Sequence, residues 1–204
     1  MIEETHAHPH AHEHDQPMGY HEMLATALVE LLVEKGLFTP EALQRQMHVV
    51  GERSPAGGAR VVAHAWLDDG FKARLLANGS EAITELGFDP GAMHLAVVEN
   101  TPEVHNVIVC TLCSCYPRML LGVPPAWYKS SAYRSRVVRE PRAVLREFGL
   151  QLPEGTSIRV HDSTADLRYL VLPLRPADTD GLDEAALAAL VTQDAMIGTA
   201  IVTT

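Results

Sequence analysis

The sequence predicts an α+β fold, a helical N-terminal arm followed by a mixed helix-and-strand domain, and two features predict it. Apolar residues recur at helical spacing from His21 through about Leu86, whereas short β-branched runs begin only near His94. Helical and strand textures then alternate to the C-terminus without an internal repeat, as in a domain of mixed layers.

Residues 1–17, M-I-E-E-T-H-A-H-P-H-A-H-E-H-D-Q-P, are set apart by composition. Histidine stands at 6, 8, 10, 12 and 14 among residues with little to bury, which predicts a disordered tail. Such a tail is either a solvated extension or a metal-gathering arm, since neutral imidazole suits cobalt, nickel and zinc. From His21, Met23, Leu24, Ala27, Leu28, Leu31 and Leu32 form one stripe, with Gly36 as the stop. Thr39-Pro40-Glu41 reads as an N-cap, a first-turn proline and a favourable acid, opening a second helix to about Val50. E-R-S-P-A-G-G-A (52–59) reads as a linker, which divides the chain into a tail (1–17), an arm (18–52) and an α+β domain (53–204).

Helical segments A-R-V-V-A-H-A-W, F-K-A-R-L-L-A and S-E-A-I-T-E-L-G follow. H-L-A-V-V-E-N and V-H-N-V-I-V-C read as a pair of strands divided by Thr101-Pro102, and residues 157–161 and 167–174 as two more. Between them lie the loop L-G-V-P-P and a helix opened by Pro141; a last helix is expected over about 182–192. An apolar share of 47% is enough for a sizeable core. The net charge of −10 argues against a general nucleic-acid partner. No apolar run approaches the roughly 20 residues that span a bilayer, and M-I-E-E-T-H is not a secretory start, so the chain reads as cytoplasmic.

All three cysteines fall in C-T-L-C-S-C, Cys110 to Cys115, at the end of the second predicted strand. An odd, crowded set is wrong for a disulfide framework. A zinc or iron–sulfur site wants four protein ligands, and His94 or His105 could supply the fourth. A C-x-x-C redox pair fits poorly before Tyr116-Pro117. A further possibility is that Cys113, Cys115 and the intervening backbone amides wrap one ion in a plane, with Cys110 as an axial sulfur. That arrangement leaves one face open for water or substrate.

C-T-L-C-S-C-Y-P, with L-G-V-P-P-A-W-Y-K, Y-R-S-R-V-V-R-E-P-R, R-Y-L-V-L-P-L-R-P-A-D-T-D-G and M-I-G-T, resembles the α subunit of nitrile hydratase over about residues 20–198. The γ subunit of thiocyanate hydrolase shares the cysteine motif. The resemblance implies a helical arm plus a layered α-β-β-α domain carrying the metal turn. It also implies sulfur ligation by Cys110, Cys113 and Cys115 and amide ligation by Ser114 and Cys115. Thr111 and Tyr116 match the cobalt-type pattern, implying non-corrin Co(III) rather than Fe(III). Cys113 would be oxidised to sulfinic acid and Cys115 to sulfenic acid. Arginines of a β-type subunit would hold their oxygens, and a metal-loading accessory protein would serve the complex. The implied reaction is hydration of a small nitrile to its amide at Cys113, Ser114 and Cys115, with the attacking group either metal-bound water or the Cys115 oxygen.

One position departs from the family pattern. Nitrile hydratases of this type tend to read C-S-C-Y-P-W-P-x-L-G, whereas this chain reads C-S-C-Y-P-R-M-L-L-G. Arg118 therefore stands where an aromatic wall is expected, and a guanidinium there suits an anionic substrate such as thiocyanate. Arg134, Arg136, Arg139 and Arg142 have the spacing of a solvated or interface face. Trp127 and Tyr128 read as a packing anchor, and Glu99 and His105 as hydrogen-bonding groups near the turn.

Overall fold

A computed structural model describes residues 19–204. The histidine-rich stretch lies outside the described residues. The described residues divide into two compact units, one up to His48 and one over Val49–Thr204.

In the first unit, α1 spans Tyr20–Glu34, and the Glu22 carboxylate accepts from the Gly19 N–H at 2.8 Å. Gly36 (φ +67°) ends it, with the Gly36 N–H on Val33 O (2.9 Å) and the Leu37 N–H on Leu32 O (3.1 Å). This pair of bonds satisfies carbonyls left open at a helix C-terminus. Thr39 Oγ1 accepts from the Ala42 N–H at 3.2 Å and opens α2 (Pro40–Gly51). Neither helix has a buried residue, and Met23, Leu24, Leu28 and Leu31 remain 46–55% exposed.

In the second unit, residues 55–59, expected as linker, already form α3 (Pro55–Leu67). The Gly57-Gly58 pair that looks like a breaker is a contact surface. A Cβ on Gly58 would lie 2.5 Å from Leu121 Cδ2 and 2.7 Å from Met196 Sδ. Only glycine lets α3 approach those side chains. Val61, Val62, Ala63 and Ala65 put α3 at the centre of the core. Helices α4 (Asp69–Ala77) and α5 (Gly79–Glu85) follow, capped by the side chains of Asp68 and Asn78.

Strands β1 (His94–Glu99) and β2 (Val104–Val109) do not pair with each other as a hairpin would. Instead β1 lies parallel to β4 (Leu167–Leu172) and β2 parallel to β3 (Ser157–Asp162), forming two separate two-stranded sheets. The cause is a polar corner. Asn100 Oδ1 accepts from the Asn106 N–H at 2.7 Å, and Asn106 Nδ2 donates to Glu99 O at 2.7 Å. Side chains thereby take backbone groups that a continuous hairpin ladder would use.

The crossover from β2 to β3 carries the cysteine turn, α6 (Arg118–Leu121), the 3₁₀ turn Ala126–Lys129, α7 (Ser131–Arg136) and α8 (Pro141–Glu147). The helix expected over about 182–192 is α9 (Glu184–Leu190), and a further short helix, α10 (Gln193–Ile197), follows it. Val191 is extended, and Thr192 Oγ1 accepts from the Ala195 N–H at 3.2 Å to start a new turn. The four arginines do not share one solvated face. Arg134 and Arg142 donate to backbone carbonyls, Arg136 forks onto Glu140 and Glu147, and Arg139 Nε donates to Ser135 O. Arg134 ties α7 to the turn after β2, and the others staple α7, α8 and the following loop, because Pro141 breaks the helical register their spacing assumed.

Candidate metal centre

Strand β2 delivers Cys110, 1% exposed, to its C-terminal edge, and the chain there leaves the sheet. The adjacent end of β3 holds the departure. Ser163 N–H donates to Val109 O at 2.7 Å, and Asp162 accepts from both the N–H (2.9 Å) and hydroxyl (2.6 Å) of Thr111. Arg134 Nη1 donates to Thr111 O at 3.2 Å. Residues 111–116 carry no regular secondary structure, so side-chain contacts of this kind take the place of a ladder.

The turn folds its three sulfurs onto one point. Cys113 Sγ lies 3.6 Å from Cys110 Sγ and 3.3 Å from Cys115 Sγ, and all three lie within 4.8 Å of one another. The Cys113 N–H points at Cys110 Sγ (3.3 Å). Cys110 is buried, Cys115 half-buried and Cys113 exposed, so the cluster opens on one side. Crowding separates the thiols electrostatically. Hydrogen bonds from Cys115 and Cys110, then from the Ser114 backbone, hold the Cys113 thiol down at about 7. Burial, followed by the neighbouring Cys113 sulfur, pushes Cys115 up to about 12. The thiolate form is therefore favoured at Cys113 over Cys115.

The donor set fits a single transition-metal ion. Two sulfurs at right angles around one ion, each about 2.3 Å from it, stand about 3.3 Å apart, which is the Cys113–Cys115 spacing. No histidine or carboxylate belongs to the group among the described residues. His105, a possible fourth zinc ligand, is buried elsewhere with Nε2 on Gly198 O (2.7 Å) and Nδ1 near Asn100. Three soft sulfurs and no imidazole argue against an ordinary four-ligand zinc site. The Ser114 and Cys115 backbone groups add to the lowering of the Cys113 thiol.

Arg118 is the first residue of α6 and exposed, and its guanidinium makes no hydrogen bond or ion pair with the described residues. Leu112 (86% exposed) and Val123 (70%) leave apolar surface in the turn and beyond α6. Trp127 and Tyr128 do anchor packing, within a cluster that includes Tyr116, Tyr133 and Phe148. Asp162, Tyr128's hydroxyl, Tyr133 and Arg134 were not legible as groups that hold the turn. Asp162 reaches the turn only because β3 pairs in register with β2, setting Asp162 opposite Val109.

A sequence profile of the family described as nitrile hydratase, alpha chain, matches residues 19–200. The chain belongs to that family. The cobalt-containing nitrile hydratase subunit alpha of Pseudonocardia thermophila is 51% identical over 177 residues, 84% of this chain and 86% of the relative. The thiocyanate hydrolase subunit gamma of Thiobacillus thioparus is 45% identical over 192 residues, 88% of this chain and 79% of the relative. Among solved structures, a double variant of the Fe-type nitrile hydratase from Comamonas testosteroni Ni1 superposes with a TM-score of 0.82 at 48% identity. That alignment covers 89% of this chain and 90% of the other, and the layered helix-and-sheet fold is the same.

Proposed function

We propose that this chain is the metal-bearing α subunit of a nitrile hydratase, hydrating R–C≡N to R–C(O)NH2 at a non-corrin Co(III) centre. The observation that carries it is the convergence of Cys110, Cys113 and Cys115 on one point with an open side, in a chain 51% identical to a cobalt-containing relative. Those sulfurs, with the backbone nitrogens of Ser114 and Cys115, would hold the ion. Bound there, a trivalent metal supplies a Lewis acid that polarises a nitrile or lowers the pKa of water. Cys113 as sulfinate and Cys115 as sulfenate are oxidation products that dioxygen would deliver, with four and two electrons removed respectively. Asp162, Arg134 and Tyr128 keep the turn's backbone in place while substrate approaches the open side.

A β-type partner is part of this proposal. The exposed stripe Met23, Leu24, Leu28 and Leu31 in the first unit, and separately Leu112 and Val123 in the second, are apolar surfaces that a second chain would cover. Arginines of that partner would hold the oxidised Cys113 and Cys115, and an accessory protein would load the metal. No helix among the described residues is long and apolar enough to cross a membrane.

Arg118 favours a second substrate, the thiocyanate anion, because it stands three residues beyond Cys115 with an unpaired guanidinium that attracts negative charge. The chain is co-expressed with its partner and tested by elemental analysis, peptide mass spectrometry and assays on neutral nitriles and thiocyanate. Stoichiometric cobalt, two added oxygens on Cys113 and one on Cys115 are expected. Zinc or iron with unmodified thiols would sink the cobalt assignment. Arg118→Trp is expected to raise the nitrile-to-thiocyanate ratio of kcat/KM by roughly tenfold. If wild type turns over thiocyanate well and leaves nitriles untouched, the nitrile hydratase proposal is wrong.

The alternating histidines at 6, 8, 10, 12 and 14 add a prediction. Deleting residues 1–17 should leave the folded core intact but lower cobalt loading when the metal is scarce. Equal loading at every cobalt concentration would dispose of a metal-gathering role.

A further inference from the structure

The aromatic cluster behind the cysteine turn does more than fill volume. Tyr116, Trp127, Tyr128, Tyr133 and Phe148 meet mostly edge to face, with ring centroids such as Trp127–Phe148 at 4.7 Å and Tyr116–Tyr128 at 5.1 Å. Two of these buried rings send their hydroxyls to carbonyls that bracket the cysteines. Tyr133 Oη donates to Ile108 O at 2.7 Å, two residues before Cys110, and Tyr128 Oη donates to Cys115 O at 2.9 Å. Tyr128 is fully buried, so its phenol cannot be replaced by water without opening the cluster.

A peptide unit is planar, so holding the Cys115 carbonyl fixes rotation about the Cα–C bond of Cys115. That Cα carries the Sγ, which lies 3.3 Å from Cys113 Sγ. Residues 111–116 have no ladder to fix this rotation independently. Asp162 and Arg134 hold only Thr111, at the opposite end of the turn.

We propose that Tyr128 is a positioning residue for the metal centre, its hydroxyl setting the orientation in which Cys115 presents sulfur and amide nitrogen. The proposal rests on the metal-site reading above. Tyr128→Phe keeps the ring and removes only the hydrogen bond, leaving a carbonyl free to turn. Trp127→Phe disturbs the same cluster through Tyr133 and Phe148 without removing a contact to the turn, and serves as the control for a merely structural effect.

The reduced full-length chain of each variant is titrated with Co2+ while sulfur-to-cobalt absorption is recorded, a readout independent of catalysis. Tyr128→Phe is expected to weaken Co2+ binding about tenfold and to shift the absorption, and in the loaded complex to lower kcat about tenfold with KM changed by less than about twofold. Trp127→Phe should lower thermal stability while leaving the absorption in place. An unshifted spectrum and unchanged Co2+ affinity in Tyr128→Phe overturn the positioning role alone, and so does an equal shift in Trp127→Phe. A wild-type chain without any cobalt–thiolate absorption would instead sink the metal-site reading and this proposal with it.

Discussion

Cys115→Ser is expected to reduce retained cobalt and nitrile turnover by at least about a hundredfold while leaving the fold standing. On the proposed reading the two effects separate, because the residue would matter far more to the metal than to the fold. Its side chain is half-buried and meets mainly the other sulfurs, Cys113 Sγ at 3.3 Å, so the core loses little when sulfur becomes oxygen. A surface-facing change of this size should cost within about 1 kcal/mol of stability. The metal loses far more. A serine hydroxyl holds its proton near neutral pH, is a hard donor, and cannot enter the oxidation ladder that a thiolate can. Circular dichroism and thermal melting should match wild type, and elemental analysis should reveal the missing cobalt. Retention of metal and activity within roughly twofold would mean Cys115 is no ligand. The same loss accompanied by unfolding would mean the turn holds the domain together.

The largest stability loss is expected at Gly198→Ala. Gly198 sits at φ +93°, in the left-handed region, and a Cβ there would stand 2.0 Å from Asn106 O and 2.9 Å from Val107 Cα. Those neighbours are backbone of β2, so no side-chain rotation relieves the clash. The chain cannot easily swing away either, because buried His105 engages Gly198 O at 2.7 Å and Thr199 is 1% exposed. Left-handed strain, overpacking and a disturbed buried hydrogen bond together should cost more than about 4 kcal/mol, a fall in Tm of roughly 10 °C or more. Since β2 ends at Cys110, cobalt retention should fall with the fold. A melting temperature within about 2 °C of wild type would contradict this account of the α10–β2 contact.

Local chemistry was legible wherever one short stretch carried it. Gly36 stops α1 and Thr39 caps α2 because both devices act through bonds within four or five residues. The four strands also fall where the short apolar and β-branched stretches lie, at His94–Glu99, Val104–Val109, Ser157–Asp162 and Leu167–Leu172. Pairing was not legible. β1 and β2 do not ladder together because Asn100 Oδ1 accepts from the Asn106 N–H and from Asn106 Nδ2 at the corner, and nothing in a local pattern announces that choice. Gly57-Gly58 misleads for a related reason. The absence of side chains there serves a contact with Leu121 and Met196, partners remote in sequence. The arginine series from Arg134 to Arg142 misleads because Pro141 resets the helix, and the guanidinium groups then find carbonyls and carboxylates within the chain.

By itself the sequence determined the soft donors: three cysteines in six residues, with Ser114 between two of them and Arg118 just beyond. Those groups are contiguous, so their spacing needs no knowledge of the rest of the chain. Only the tertiary structure decided what holds them. Asp162 arrives from β3, Tyr128 and Tyr133 from the crossover, and Gly198 from the C-terminal end, and each reaches the turn or its strand through pairing or burial that no local pattern encodes. The donors are a matter of covalent order; their orientation is a matter of long-range packing, whose partners are chosen only when the whole domain closes around them.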